Sequence, residues 1–408
     1  MLDADGEDAR DPSNALLSRI CDCSVRSAVL IAALLYGIVI VGRLACHRGD
    51  ATFFITAGSL YYNPSLAPAK LSVRTRHGYD GQFYYRLALD PFTRKAVDYG
   101  IAIDNPPYRQ QRILYPLLAH ILALGGISWI PWTLIAVNYL AVCALAYNAA
   151  RLARCFSMPA IFGLAIPFFP GVLMGLDRDL ADPLEISLMV FALYLVHSRR
   201  IPLAAGMLAL AVLARETAVL LAGALFVISG VRALRKHASW IESGLMMIPL
   251  VTYAGWQLRM VSTWGTIGVS AGCRTLDSIP FRSAVLSLLG AFASVARVDS
   301  LLTTASGLVL LVELLYIATM VSVAAAVSFR SAASPGVKLA WALYLVLAAF
   351  LSTLVWVEDW GFMRGCAELM ALGFIMVIGA REERPALMVL APTLAIWMKV
   401  AIQSLIAQ

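Results

Sequence analysis

The chain has 408 residues, a net charge of +7, 60% hydrophobic and 14% charged residues, and a mean hydropathy of +0.78. Soluble domains carry roughly 45–50% apolar and about 25% charged residues, so these numbers exclude a soluble enzyme, a disordered chain and a fibrous repeat. They point to an all-α polytopic membrane protein; the long, continuous apolar runs argue against a transmembrane β-barrel. The basic residues stand mostly between apolar runs, where membrane topology puts them, so no nucleic-acid partner is expected.

Residues 1–26 are polar and acidic and are expected to form a cytoplasmic tail, followed by an uncleaved first crossing at 27–43. Residues 44–131 form a large hydrophilic loop. Its end, 113–127, is apolar but short and carries Pro116 and His120; it is read as a helix lying in the outer interface. Apolar runs follow at 132–150, 158–175, 183–197, 201–213 and 217–231. The links Arg151/Arg154, Arg199-Arg200 and Arg232/Arg235/Lys236 are basic and alternate with the acid-bearing links Asp177-Arg178-Asp179 and Arg215-Glu216. Placing the basic links inside puts the acidic links outside, on the same face as the large loop. The module 132–258 ends with a crossing at 240–258. A second outer loop, 259–303, carries Arg274, Asp277, Arg282 and Asp299, and a C-terminal module, 304–408, has runs at 304–327, 339–356, 367–380 and 386–405. At about 20 residues per span this makes about eleven crossings.

Seven cysteines, among them Cys21, Cys23, Cys143, Cys155 and Cys366, have no zinc-site spacing and are read as small hydrophobes and spare thiols.

Three polar clusters fall on the outer face. In the first, Gly78 and Gly81 bracket Asp80, predicting a tight turn that presents the carboxylate. The aromatic neighbours Tyr79, Phe83 and Tyr84 give that carboxylate an apolar side, which raises a pKa and suits a general base. In the second, Asp177, Asp179, Asp182 and Glu185 surround Pro183. Asp182 and Glu185 are spaced as an N-cap and its capping box, whereas Asp177 and Asp179 are free for a divalent ion or an acceptor hydroxyl. The third, Arg215-Glu216, interrupts two apolar runs, where ionisable residues are costly. Arg215 and Arg364 are candidates to hold a phosphate. Arg109 and Arg112 are further candidates, with interfacial anchoring as their structural alternative. Lys399, inside the last run, has no place in this scheme.

One crossing, an outer loop with Gly78-Tyr79-Asp80-Gly81-Gln82-Phe83-Tyr84 and Asp90-Pro91, the stretch Arg112-Ile113-Leu114-Tyr115-Pro116, and then an acidic link: this order resembles the polytopic GT-C glycosyltransferases. The first loop is similar to a group of bacterial inner-membrane proteins tied to cell-surface glycopolymer formation. The resemblance covers residues 27–231 best. It implies a GT-C-like fold with its active site facing the periplasm. It also implies an enzyme that passes a sugar from a polyprenyl-phosphate donor to a hydroxyl of a glycan or glycolipid acceptor. Asp80 matches the family's loop carboxylate, a general base or metal ligand. Asp177 and Asp179 match its second acidic motif, with a divalent cation (Mg or Mn) as a tentative partner. Arg215 falls where the lipid phosphate is steadied. Tyr79, Gln82, Tyr84, Arg109, Arg112, Glu216, Trp360 and Arg364 complete the expected substrate-binding set. With no soluble domain after the last run, acceptor recognition falls to the loops 44–112 and 259–303. The rival readings are a transporter or flippase of lipid-linked sugar, which needs ionisable residues in mid-helix, and a non-catalytic subunit of a glycan-assembly complex.

Overall fold

The computed structural model describes residues 24–272, 276–297 and 301–406. Cys21, Cys23, Arg274 and Asp299 lie outside them. The protein is helical. Helix α1, Val25–Cys46, is opened by Ser24, whose hydroxyl accepts from the Ser27 N–H. In the first loop lie α2 (Gly81–Leu89), α3 (Pro106–Gln110) and α4 (Leu114–Leu122). The bundle continues through α5 (Ile130–Cys155), α6 (Pro170–Asp177), α7 (Asp182–His197), α8 (Ile201–Ala214), α9 (Val219–Leu234) and α10 (Trp240–Trp264). After the short α11 (Gly268–Gly272) come α12 (Arg282–Arg297), α13 (Leu301–Val327) and α14 (Pro335–Ala349). Two short helices, α15 (Thr353–Trp356) and α16 (Asp359–Gly365), lead to α17 (Ala367–Gly379) and α18 (Glu383–Ile406).

Among the described residues, five stretches are long and apolar enough to cross a membrane: Val25–Cys46, Ile127–Cys155, Glu216–Leu234, Thr303–Val327 and Glu383–Ile406. Four shorter apolar helices, including Ile201–Ala214 and Ala367–Gly379, pack among them. Helix α4 is nine residues long, about 14 Å, well short of the roughly 30 Å hydrocarbon core.

Three predicted elements take a different form. The run 158–175 is not one helix: a 3-10 turn, Ala160–Ala165, precedes α6. Pro159, Pro167 and Pro170 cannot donate to a continuous ladder. The segment is also pressed against its neighbours: a Cβ on Gly163 would meet the Ala149 carbonyl carbon at 2.6 Å, and one on Gly171 the Met363 oxygen at 2.4 Å. The stretch 259–303 is largely helical rather than an open loop, since α10 runs to Trp264 and α12 packs along α13. The run 339–356 starts earlier, at Pro335, and breaks after Ala349. Among the described cysteines Cys366 is buried and Cys143 and Cys155 are half-buried, all as free thiols.

The large loop is tied down by two small ribbons, β1 (Ala57–Gly58) with β2 (Val73–Thr75), parallel, and β3 (Val97–Asp98) with β4 (Ile101–Ala102), antiparallel. Its own core, including Ile55, Tyr84, Tyr85 and Tyr115, packs onto α5 at Ile130, Leu134 and Val137.

Candidate functional site

Asp80 sits just before α2 in helical backbone geometry, and its carboxylate makes no cap bond to the helix. The turn that carries it is built by close backbone approach. Gly78 has φ +65°, and a Cβ on Gly58 would stand 2.2 Å from the Gly78 nitrogen. Gln82 braces the same turn: its Oε1 accepts from the Gly58 N–H at 3.0 Å, and its Nε2 donates to the His77 carbonyl at 2.9 Å. Gln82 is fully buried, so the structure gives it a bracing role in place of the expected contact with substrate.

With its cap position unused, the Asp80 carboxylate turns to arginines. Arg109 lies 2.9 Å from its Oδ1, and Arg364, from α16, 3.6 Å from its Oδ2. Arg109 also grips Asp104 through two hydrogen bonds of 2.9 and 2.8 Å. Arg364 reaches on to Asp182 Oδ2 at 3.2 Å and to the Tyr79 hydroxyl at 2.8 Å. Arg215 joins Asp182 Oδ1 at 2.8 Å to Glu368 at 3.1 Å, and the Thr217 hydroxyl donates to Glu368 at 2.6 Å. Arg112 pairs with Glu216 and donates to the Tyr108 hydroxyl at 2.6 Å; Tyr84 stands 3.5 Å from it. Residues from the large loop, α7, the α8–α9 link, α16 and α17 thus form one charged network at one end of the bundle.

The electrostatics overturn one expectation. Burial pushes the Asp80 carboxyl up, but Arg109 and Arg364, with Arg112 behind them, outweigh it and hold Asp80 down at about 2 rather than above its ordinary 3.8. Asp80 is firmly ionised and a weak base while both arginines engage it.

The second acidic motif divides differently from its sequence reading. Asp182 is the first residue of α7, not its cap, and makes no cap bond; with the half-capping partner gone, Glu185 lies instead 3.5 Å from Thr217. Both carboxylates face the network, and the cap position itself is taken by Ala181, which has no side chain to cap with. Asp177 faces elsewhere. Arg43, at the end of α1, lies 3.0 Å from its Oδ1, and the Ser404 hydroxyl of α18 donates to the same oxygen. Asp179, held at φ +49°, is fully buried with the Tyr115 hydroxyl 3.5 Å away. Burial raises it well above the usual carboxylate range. The expected catalytic and metal-binding roles of Asp177 and Asp179 do not fit these surroundings. A guanidinium occupies the place a cation would take beside Asp177, and among the described residues no three His, Cys, Asp or Glu side chains converge.

The Arg215–Glu216 pair is not a self-paired hairpin tip either. Each residue takes a distant partner: Glu216 takes Arg112, and one Arg215 nitrogen, Nη1, reaches both Asp182 and Glu368 while its buried Nε has no hydrogen-bond partner. Sequence reading missed Glu368, although a lone acid opening an apolar run was a readable signal. It also missed Arg178, whose guanidinium lies 3.4 Å from the Trp360 ring centre and 4.4 Å from that of Tyr79.

Two cavities adjoin the network. One, of about 180 Å³, is walled by Tyr108, Arg112, Arg215, Glu216 and Thr217 on one side and by Val269, Leu347 and Leu351 on the other. The other, of about 1000 Å³, opens between α12, α13 and α18, with Arg178 and Trp360 at the end nearest the network and the Glu313–Lys399 ion pair in its wall. Lys399 therefore has a partner in the adjacent long helix. Comparisons with protein-family models, with curated proteins and with solved structures found no match to this chain.

Proposed function

We propose that the protein is a polytopic membrane glycosyltransferase of GT-C type. In this reading it has about eleven crossings of roughly 20 residues each and lies in a bacterial inner membrane with the charged network facing the periplasm. It moves a sugar from a polyprenyl-phosphate donor to a hydroxyl of a glycan or glycolipid acceptor. The observation that carries this reading is a four-arginine network, two of whose arginines hold Asp80, joined through Tyr79 to Arg178, which with Trp360 lines a cavity of about 1000 Å³ between α12, α13 and α18. Such a cavity suits a lipid chain, and the arginines suit its phosphate.

The acceptor oxygen attacks the anomeric carbon. The bond from that carbon to the phosphate oxygen breaks, and its electron pair leaves on the phosphate. Arginine stabilises that charge, and the acceptor's proton passes to Asp80. The depressed basicity of Asp80 while Arg109 and Arg364 both engage it fits this sequence of events. A phosphate competing for Arg109 and Arg364 removes the charges that hold Asp80 down, so the base becomes competent only when the donor is seated. No step requires a metal ion at Asp177 and Asp179.

The test uses purified protein in lipid with short-chain polyprenyl-phosphate sugars, following release of polyprenyl phosphate with and without EDTA. Release by wild type, abolished in Asp80→Asn and indifferent to EDTA, is expected. The transporter reading has one observation in its favour, the mid-helix Glu313–Lys399 pair in a cavity wall. Movement of lipid-linked sugar between vesicle leaflets, with no release from any donor, would establish it instead.

A further inference from the structure

A second cavity of ligand size lies at the opposite end of the bundle from the charged network. Helix α7 starts at Asp182 in the network and ends at His197; its sixteen residues put the two ends about 24 Å apart. There, between the ends of α7 and α9 and the starts of α10 and α14, is a cavity of about 300 Å³. Leu225, Ile228 and Met246 form its apolar part, and Arg199, Arg232 and Glu242 its charged part. Arg199 is exposed and Arg232 half-buried. Among the described residues neither arginine pairs with a carboxylate, in contrast to the arginines of the network at the other end. With two arginines and one glutamate the lining is net positive, and guanidinium forks on one cavity wall suit a phosphate.

The surroundings say which phosphate. On the same helix ends Leu203, Val231, Trp240 and Ile241 are exposed. An exposed apolar collar beside a basic cavity matches an amphiphile, with chains against the collar and headgroup between the arginines. The neighbouring Arg200, Arg235 and Lys236 mark this end of the bundle as the basic side, which in a membrane faces the leaflet rich in anionic lipid.

We infer that the Arg199–Arg232 cavity is a binding site for the phosphodiester headgroup of an anionic phospholipid, separate from the charged network around Asp80. The site holds whether the network transfers sugars or not.

The experiment uses the full chain in nanodiscs of phosphatidylcholine doped with phosphatidylglycerol, and counts the lipids retained on the protein by native mass spectrometry. Wild type retains phosphatidylglycerol over phosphatidylcholine. Arg199→Gln/Arg232→Gln lowers that preference by at least roughly tenfold, the loss of one charge-assisted hydrogen bond to the headgroup of about 1.5 kcal/mol converted at tenfold per 1.4 kcal/mol. Arg235→Gln/Lys236→Gln, which removes the same charge beside the cavity, leaves the preference largely intact. About 10 mM inorganic phosphate, in excess of ordinary weak ion pairing, does not displace the lipid. Equal retention of the two lipids by wild type would overturn the inference, as would an equal loss in the two double variants. Displacement by inorganic phosphate would overturn the assignment to a lipid in favour of a free-anion site.

Discussion

Replacing Asp80 by Asn removes one carboxylate from between two arginines and leaves each arginine another acid, Asp104 for Arg109 and Asp182 for Arg364. The stabilisation lost is then close to what the ionised Asp80 contributes. Its pKa falls from 3.8 to about 2 on folding, and at 1.36 kcal/mol per unit this is roughly 2 kcal/mol. Because the folded value is the lower one, the contribution is fully present above the unfolded pKa and disappears as pH falls through the folded one. The difference between wild type and Asp80→Asn should therefore be roughly 2 kcal/mol at neutral pH, about half of that near pH 3, and small near pH 2. Other titrating groups cancel in the difference. The assay is reversible unfolding in mixed micelles with increasing SDS, followed by tryptophan fluorescence, for both proteins across that pH range. An equal loss at pH 7 and pH 3, or none at either, would refute the ion-pair account of the turn.

Three further outcomes are expected. Arg43→Met strands the buried Asp177 and should cost about 3–5 kcal/mol, whereas Arg43→Met/Asp177→Leu should recover most of it; thermal unfolding distinguishes the two, and no recovery would deny the pair its structural role. Gly81→Ala places a methyl 2.3 Å from the Arg178 carbonyl oxygen and 2.7 Å from that of Ile55; a loss of at least about 4 kcal/mol, seen as little folded protein by size exclusion, is expected. Lys399→Met leaves Glu313 buried without its cation and should lower the unfolding temperature, while Lys399→Met/Glu313→Leu should restore it; if both behave alike, the pair has a role other than mutual neutralisation.

Much of the helical frame was legible along the chain. The apolar runs at 27–43, 132–150, 304–327 and 386–405 lie within or overlap long helices, because a run of apolar residues that cannot hydrate its backbone has little alternative to a helix. The run at 158–175 was misread because three prolines forbid a continuous ladder without saying where the chain goes instead. The broken segment is held by packing against α5, α16 and α18, buried at every position of 158–175 but Pro159 and Ile161.

The candidate site divides in the same way. Composition and the Gly78–Asp80–Gly81 spacing placed a carboxylate on a tight turn, and the charged interruptions at 177–185 and 215–217 marked where chemistry could lie. Which of those charges meet was decided by tertiary structure alone. Asp177 and Asp179 stand two residues apart in the sequence, yet one is bound by Arg43 and the other by Tyr115. Asp182, which looked like a helix cap, is bound by Arg364 from 182 residues away. Sequence determines which groups must be neutralised once they leave water, because burying an unpaired charge is prohibitive. The partner is set by which helix ends the packing brings together, and no local pattern encodes that.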